Sequence, residues 1–148
     1  MCLKNITQPE ERSSFLHPDL ANKQRIADVI TKKDVLLAFP YHTFDHIIDM
    51  LREAAIDPDV TSIKITAYRL ADNSKIGNAL VNAHRNGKEV TVMLELRARF
   101  DELNNLAWKE RFEMEGIKVL VASPTKRYMP SCVSSPNVKA KILSSMAL

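Results

Sequence analysis

Two arginines stand just past strongly β-patterned runs. Arg69 follows Ile63-Lys64-Ile65-Thr66-Ala67-Tyr68, and Arg99 lies in Glu95-Leu96-Arg97-Ala98-Arg99-Phe100-Asp101-Glu102. Ligands of open α/β sheets collect outside the carboxyl ends of the strands. A guanidinium there presents a planar fork of donors that matches phosphate oxygens two at a time. The pattern points to a phosphate-rich anion. The competing explanation is ordinary surface ion pairing: Asp101 and Glu102 adjoin Arg99, and Glu95 is in reach of Arg69 or Arg97.

Other chemistry is narrowed by what the chain contains. Its three glycines, Gly77, Gly87 and Gly116, form no glycine-rich phosphate loop, which excludes the dinucleotide fingerprint and the P-loop. Anion binding therefore falls to side chains and helix starts, with Thr43, Ser74 and Asp101 as candidate starts on the edge that carries Arg69 and Arg99. His42 and His46 have a metal-compatible spacing without a third ligand nearby. His84 sits mid-helix as a structural residue, and His17, before a proline, says little. Asp72 and Asn73 read as turn and cap. Trp108 and Phe112, four apart, read as helix packing. No Ser-His-Asp or paired-carboxylate site follows from spacing.

The elements that must position the arginines are α/β in type. Val35–Phe39 reads as a buried strand stopped by Pro40. Thr43 caps a helix from Phe44 to Ile56, with Phe44, Ile47, Ile48, Leu51 and Ala55 on one stripe. Asp57-Pro58-Asp59 is a turn. A second strand covers Thr61–Tyr68, and Asn73 or Ser74 caps a helix closed by Gly87. A third strand covers Val90–Leu96; Asp101 caps a helix to Glu115 before Gly116, and a fourth strand covers Ile117–Val121. Strands alternating with helices on short links predict βαβ units and a mainly parallel sheet.

The chain divides into a connecting segment (1–32, with a weak helix around Ala21–Ile30), the α/β part (33–124) and a tail (125–148) without capped periodicity, expected to be disordered. With 148 residues, 45% hydrophobic and 26% charged, it has the size and composition of one soluble domain. Four of its 21 basic residues and none of its 18 acidic ones lie in the tail, leaving 17 against 18 elsewhere. The net charge of +3 thus comes from the tail and gives no support for a nucleic-acid surface on the folded part. No run is long enough for a transmembrane helix, and Met1–Glu10 lacks a secretory h-region. Cys2 and Cys132 have no metal spacing, so a reduced, cytoplasmic protein is expected.

Taken together, Asp34-Val35-Leu36-Leu37 with Pro40-Tyr41 and Phe44, then Ala54-Ala55-Ile56-Asp57-Pro58-Asp59-Val60, resemble bacterial polyphosphate kinase of the first type. Ile63-Lys64-Ile65-Thr66 with Tyr68-Arg69, Asn86-Gly87-Lys88-Glu89-Val90-Thr91-Val92, Glu95 to Glu102, Asn105 and Trp108 continue the resemblance, which covers about Phe15 to Val121. It implies part of the first of two phospholipase D-like domains. The implied reaction moves the terminal phosphate of ATP reversibly to polyphosphate through a phosphohistidine. It also implies a much longer homo-oligomeric parent, cytoplasmic or attached to the membrane. Arg69 and Arg99 match positions the family associates with Mg²⁺ and phosphate. A guanidinium has no lone pair for a metal, so both are read as clamps on phosphate oxygens that Mg²⁺ also contacts.

One departure matters most. The family's phosphate-accepting histidine lies in a Lys-x-His-Ala/Ser-Lys motif five residues after a proline equivalent to Pro124, and here that position is Met129. The tail is read as frame-shifted. A codon straddling Met129 and Pro130 encodes alanine, and one straddling Tyr128 and Met129 encodes histidine or tyrosine. The shifted frame accommodates Lys-Val-His-Ala-Lys-Leu. As written, the chain is expected to be inactive alone. The alternatives are a non-catalytic α/β module that binds polyanions or partners, and a phospholipase D-like hydrolase. The hydrolase would need a His-x-Lys motif that the chain lacks.

Overall fold

The computed structural model describes residues 14–21, 25–96, 102–121, 131–134 and 139–142. Within these, helices α1 (Ile26–Lys32), α2 (Asp45–Ile56), α3 (Lys75–Arg85) and α4 (Glu102–Met114) accompany strands β1 (Ser62–Ala67), β2 (Glu89–Leu94), β3 (Lys118–Val121), β4 (Ser131–Ser134) and β5 (Lys139–Ile142). The sheet order is β3-β2-β1-β4-β5. β1, β2 and β3 run parallel, with Ile63 opposite Val90 and Val92 opposite Val119. The α/β class is as expected, with three parallel strands on one side of the sheet and the antiparallel β4 and β5 on the other.

Each helix forms where its chemistry allows. The Ser74 hydroxyl accepts the Gly77 amide at 3.2 Å and caps α3. Gly87 and Gly116, both at φ 84°, follow α3 and α4 in the left-handed conformation that ends a helix. Thr43 acts one place earlier than a standard cap: Phe44 occupies the cap position, and the Thr43 hydroxyl accepts the Asp45 amide at 3.2 Å. Ile48, Leu51 and Ala55 of the α2 stripe are buried, whereas Phe44 and Ile47 stay half-buried. Phe112, Leu51, Ile63, Leu80, Val92 and Leu94 form the driest part of the core. α2 and α3 lie side by side and run the same way. Lys75 and Asp45 at their starts are 3.8 Å apart, and near their ends the Asn86 side-chain amide donates to the Ala55 carbonyl at 3.1 Å.

Three expectations need correction. Val35–Phe39 is not a strand. Its residues alternate in exposure like one, but the chain closes on itself: the His42 amide donates to the Ala38 carbonyl (2.8 Å), and the Ala38 amide to His42 Nδ1 (2.9 Å). The edge of β1 such a strand would need is held by β4, antiparallel, with Ile63 opposite Val133.

The tail, expected to be disordered, supplies both β4 and β5, paired antiparallel with Cys132 opposite Lys141. The stretch before residue 33 is also more than a connector. Glu53 accepts the amides of Ile26 (3.1 Å) and Ala27 (3.2 Å), Arg25 bonds Asp57, and Ile26 and Val29 are buried.

Candidate functional site

Arg69 lies two residues beyond the end of β1 and is exposed, its guanidinium carbon 5.5 Å from the Tyr68 ring centroid. Beneath it the chain is fixed. Leu70 turns into the core at 3% exposure, and Asp72-Asn73 make the turn that leads to the Ser74 cap. β1 thus delivers Arg69 to its carboxyl end, as the alternation of Ile63, Ile65 and Ala67 predicts.

The floor of this rim comes from α4. Asn105, 0% exposed, accepts the Leu70 amide at 3.0 Å through Oδ1. Its Nδ2 donates to the Tyr68 carbonyl at 2.9 Å and to the Glu95 carbonyl at 2.8 Å. One turn later the Trp108 indole donates to the Ala71 carbonyl at 2.8 Å. Trp108 packs on Phe112 as expected (centroids 5.3 Å apart) and also against α3: a Cβ at Gly77 would lie 2.5 Å from the indole ring. Only a glycine admits the ring there, a constraint that has no local signal in the sequence. In the sequence Asn105 stands out only through the family resemblance. Its one local signal is an asparagine inside a helix, where its competing hydrogen bonds normally count against it.

Glu95 reaches the same rim through its backbone, which also donates to the Ala67 carbonyl at 3.3 Å. Arg97, Arg99 and Asp101 lie outside the described residues, as does Met129. The approach of Arg99 to Arg69, and a cap from Asp101, are therefore not among the observed features.

The histidines form a different cluster. The rings of His17 and His42 meet edge to face at 5.0 Å, and the His17 amide donates to His46 Nε2 at 3.0 Å. His17 Nδ1 accepts the Asp19 amide at 3.2 Å, and His42 Nδ1 is engaged by Ala38. Each of these nitrogens already serves the backbone, so the cluster ties residues 14–20 to the start of α2. Among the described residues no group of three or more His, Cys, Asp or Glu could hold a metal. Burial, then the neighbouring His17, holds the His46 pKa below the ordinary imidazole value. His84 is half-buried, as expected, with Nδ1 3.3 Å from the Lys88 carbonyl oxygen.

Residues 25–133 match the family model described as polyphosphate kinase C-terminal domain 1. The chain belongs to the polyphosphate kinase family. It is 42% identical over 119 residues to the polyphosphate kinase of Escherichia coli K12, covering 80% of this chain and 17% of that protein. To the polyphosphate kinase of Vibrio vulnificus it is 48% identical over 97 residues, 66% of this chain and 14% of the relative. The crystal structure of polyphosphate kinase from Porphyromonas gingivalis superimposes with a TM-score of 0.68 at 40% identity, covering 84% of this chain and 20% of that one. The chain thus spans a fifth or less of these polyphosphate kinases. Among the described residues, no helix is long and apolar enough to cross a membrane.

Proposed function

We propose that this chain carries the phosphate-gripping rim of a polyphosphate kinase catalytic domain, whose parent reaction moves the terminal phosphate of ATP to polyphosphate through a phosphohistidine. The observation that carries this reading is the placement of Arg69 beyond the carboxyl end of β1, over a loop pinned from below. Arg99 is the second clamp by resemblance. Both side chains are donors only, so neither would ligate Mg²⁺; the ion would arrive on the phosphate oxygens of ATP or polyphosphate. Positioning and charge neutralisation are most of what a protein contributes to phosphoryl transfer, and two guanidinium forks fit that role.

The chain is proposed to lack kinase activity on its own. Met129 stands where the family's phosphate-accepting histidine belongs, and the frame-shifted origin of the tail remains part of this proposal. Incubation with γ-labelled ATP should give no acid-labile phosphohistidine; label on the chain would refute the inactivity. Tripolyphosphate should bind measurably by calorimetry. Arg69→Ala should weaken it about tenfold, the low end for a charge-assisted contact because the side chain is exposed. Arg99→Ala should act in the same direction. Binding unchanged by either would return both arginines to surface ion pairing.

A non-catalytic interaction module is the second reading, favoured by Leu103 (82% exposed), Leu106 and Met114 (81%) along the outer face of α4. Self-association on gel filtration without any polyphosphate binding would support it.

A further inference from the structure

The peptide groups on both sides of the Arg69 Cα end on one buried side chain. The carbonyl of the Tyr68–Arg69 peptide accepts from Asn105 Nδ2, and the amide of the Arg69–Leu70 peptide donates to Asn105 Oδ1. Two planar peptide groups held by one rigid carboxamide leave the intervening residue little freedom in φ and ψ. The second Nδ2 hydrogen reaches the Glu95 carbonyl, at the exit of β2. One side chain therefore uses two donors and an acceptor to tie the ends of two adjacent parallel strands to a helix. It does so at 0% exposure, where water cannot substitute for any of the three bonds. Trp108 anchors Ala71 from the same helix face. A residue needed only for packing would be apolar here, because a buried amide is costly unless its bonds are used.

We propose that Asn105 is the positioning residue of the phosphate rim. It fixes the backbone of Arg69 and, through Glu95, the departure of the loop after β2, so that α4 sets the height and direction of the cationic edge. Asn105 does not touch the anion. This inference rests on reading Arg69 as a phosphate ligand.

The test compares the full chain with Asn105→Leu, which keeps the shape and introduces no charge, and with Phe112→Leu, a core change on the same helix that removes no hydrogen bond to the loop backbone. Tripolyphosphate binding by calorimetry is read beside urea stability and amide exchange. Asn105→Leu should bind about tenfold more weakly, since a displaced clamp is worth little more than none. The double variant with Arg69→Ala should bind no worse than Arg69→Ala alone, because both remove the same contact. Phe112→Leu should lose stability while keeping wild-type affinity. The Leu70 amide should exchange as slowly as the strand amide of Ile65 in wild type, and at loop rates in Asn105→Leu.

Wild-type affinity in Asn105→Leu, a loss that simply adds to that of Arg69→Ala, or a Leu70 amide exchanging at loop rates in the wild type would each overturn the inference alone. Wild type that binds no tripolyphosphate would overturn the phosphate reading beneath it. Should Asn105→Leu not fold, Asn105→Ser removes the same bridge with a smaller change, and the wild-type exchange measurement decides independently.

Discussion

Gly77 of α3 packs against α4, the helix that carries Asn105. Trp108 of α4 lies over the Gly77 Cα so closely that an added methyl would be 2.5 Å from the ring. Gly77→Ala should therefore destabilise the chain by about 1–3 kcal/mol despite its better helix propensity, because overpacking a rigid indole outweighs a gain of under about 1 kcal/mol. Urea unfolding would show it, and the loss should shrink in the double variant with Trp108→Leu. His46 carries the second prediction at this scale. Its Nε2 accepts the His17 amide, so the buried ring must be neutral at that atom. With a folded pKa below the unfolded value of about 6.5, the unfolded chain binds the proton first. The stability contributed by His46 is thus complete above that value and declines as pH falls through the interval below it. The protection of the His17 amide, its exchange rate relative to that of the unfolded chain at the same pH, should fall as pH drops from about 7.5 to about 5.5, and His46→Gln should flatten that response.

At the level of elements, β1, β2 and β3 and the helices between them fall within about two residues of where period and capping put them. Alternation along Ile63–Ala67 and Val90–Leu94, with Ser74 and two closing glycines, leaves little choice of register. Two segments were illegible for different reasons. Val35–Phe39 has the composition of a buried strand, but a strand also needs a free edge, and composition does not record that β4 holds the edge of β1. β4 and β5 are four residues each, too short for a pattern, and their pairing is a property of the sheet they join. β4 lies between β1 and β5, so each of its amides points to one neighbour or the other. Val133→Pro should consequently lose a ladder bond. The expected result is faster exchange in Lys139–Ile142 and on the β4 side of β1, with β2 amides unchanged. Arg69 was legible because charge at the end of an alternating run is visible; Asn105 was not, because its three partners are backbone groups up to 37 residues away.

For the whole molecule, acid should act through carboxylates as well as His46. The amide of Asp59 at 2.9 Å, together with Arg25, holds Asp57 below the usual carboxylate range, and Arg85 does the same for Glu115. Both contribute stability that is present above the ordinary carboxylate pKa and lost as pH falls through the depressed value. The urea midpoint should therefore drop in two stages, below about pH 6.5 and again below about pH 4. The second stage should weaken in Asp57→Asn, which already lacks the charge.

Because α2 and α3 point the same way, their peptide dipoles add instead of cancelling. Each contributes roughly half an elementary positive charge at its start, and the short turn from Arg69 to Ser74 brings one of those starts to the end of β1. Asp45 at the start of α2 opposes this field, and Lys75 at the start of α3 offsets Asp45. An approaching polyanion would be drawn toward that side before any side chain touches it, and the encounter rate should fall steeply as ionic strength rises.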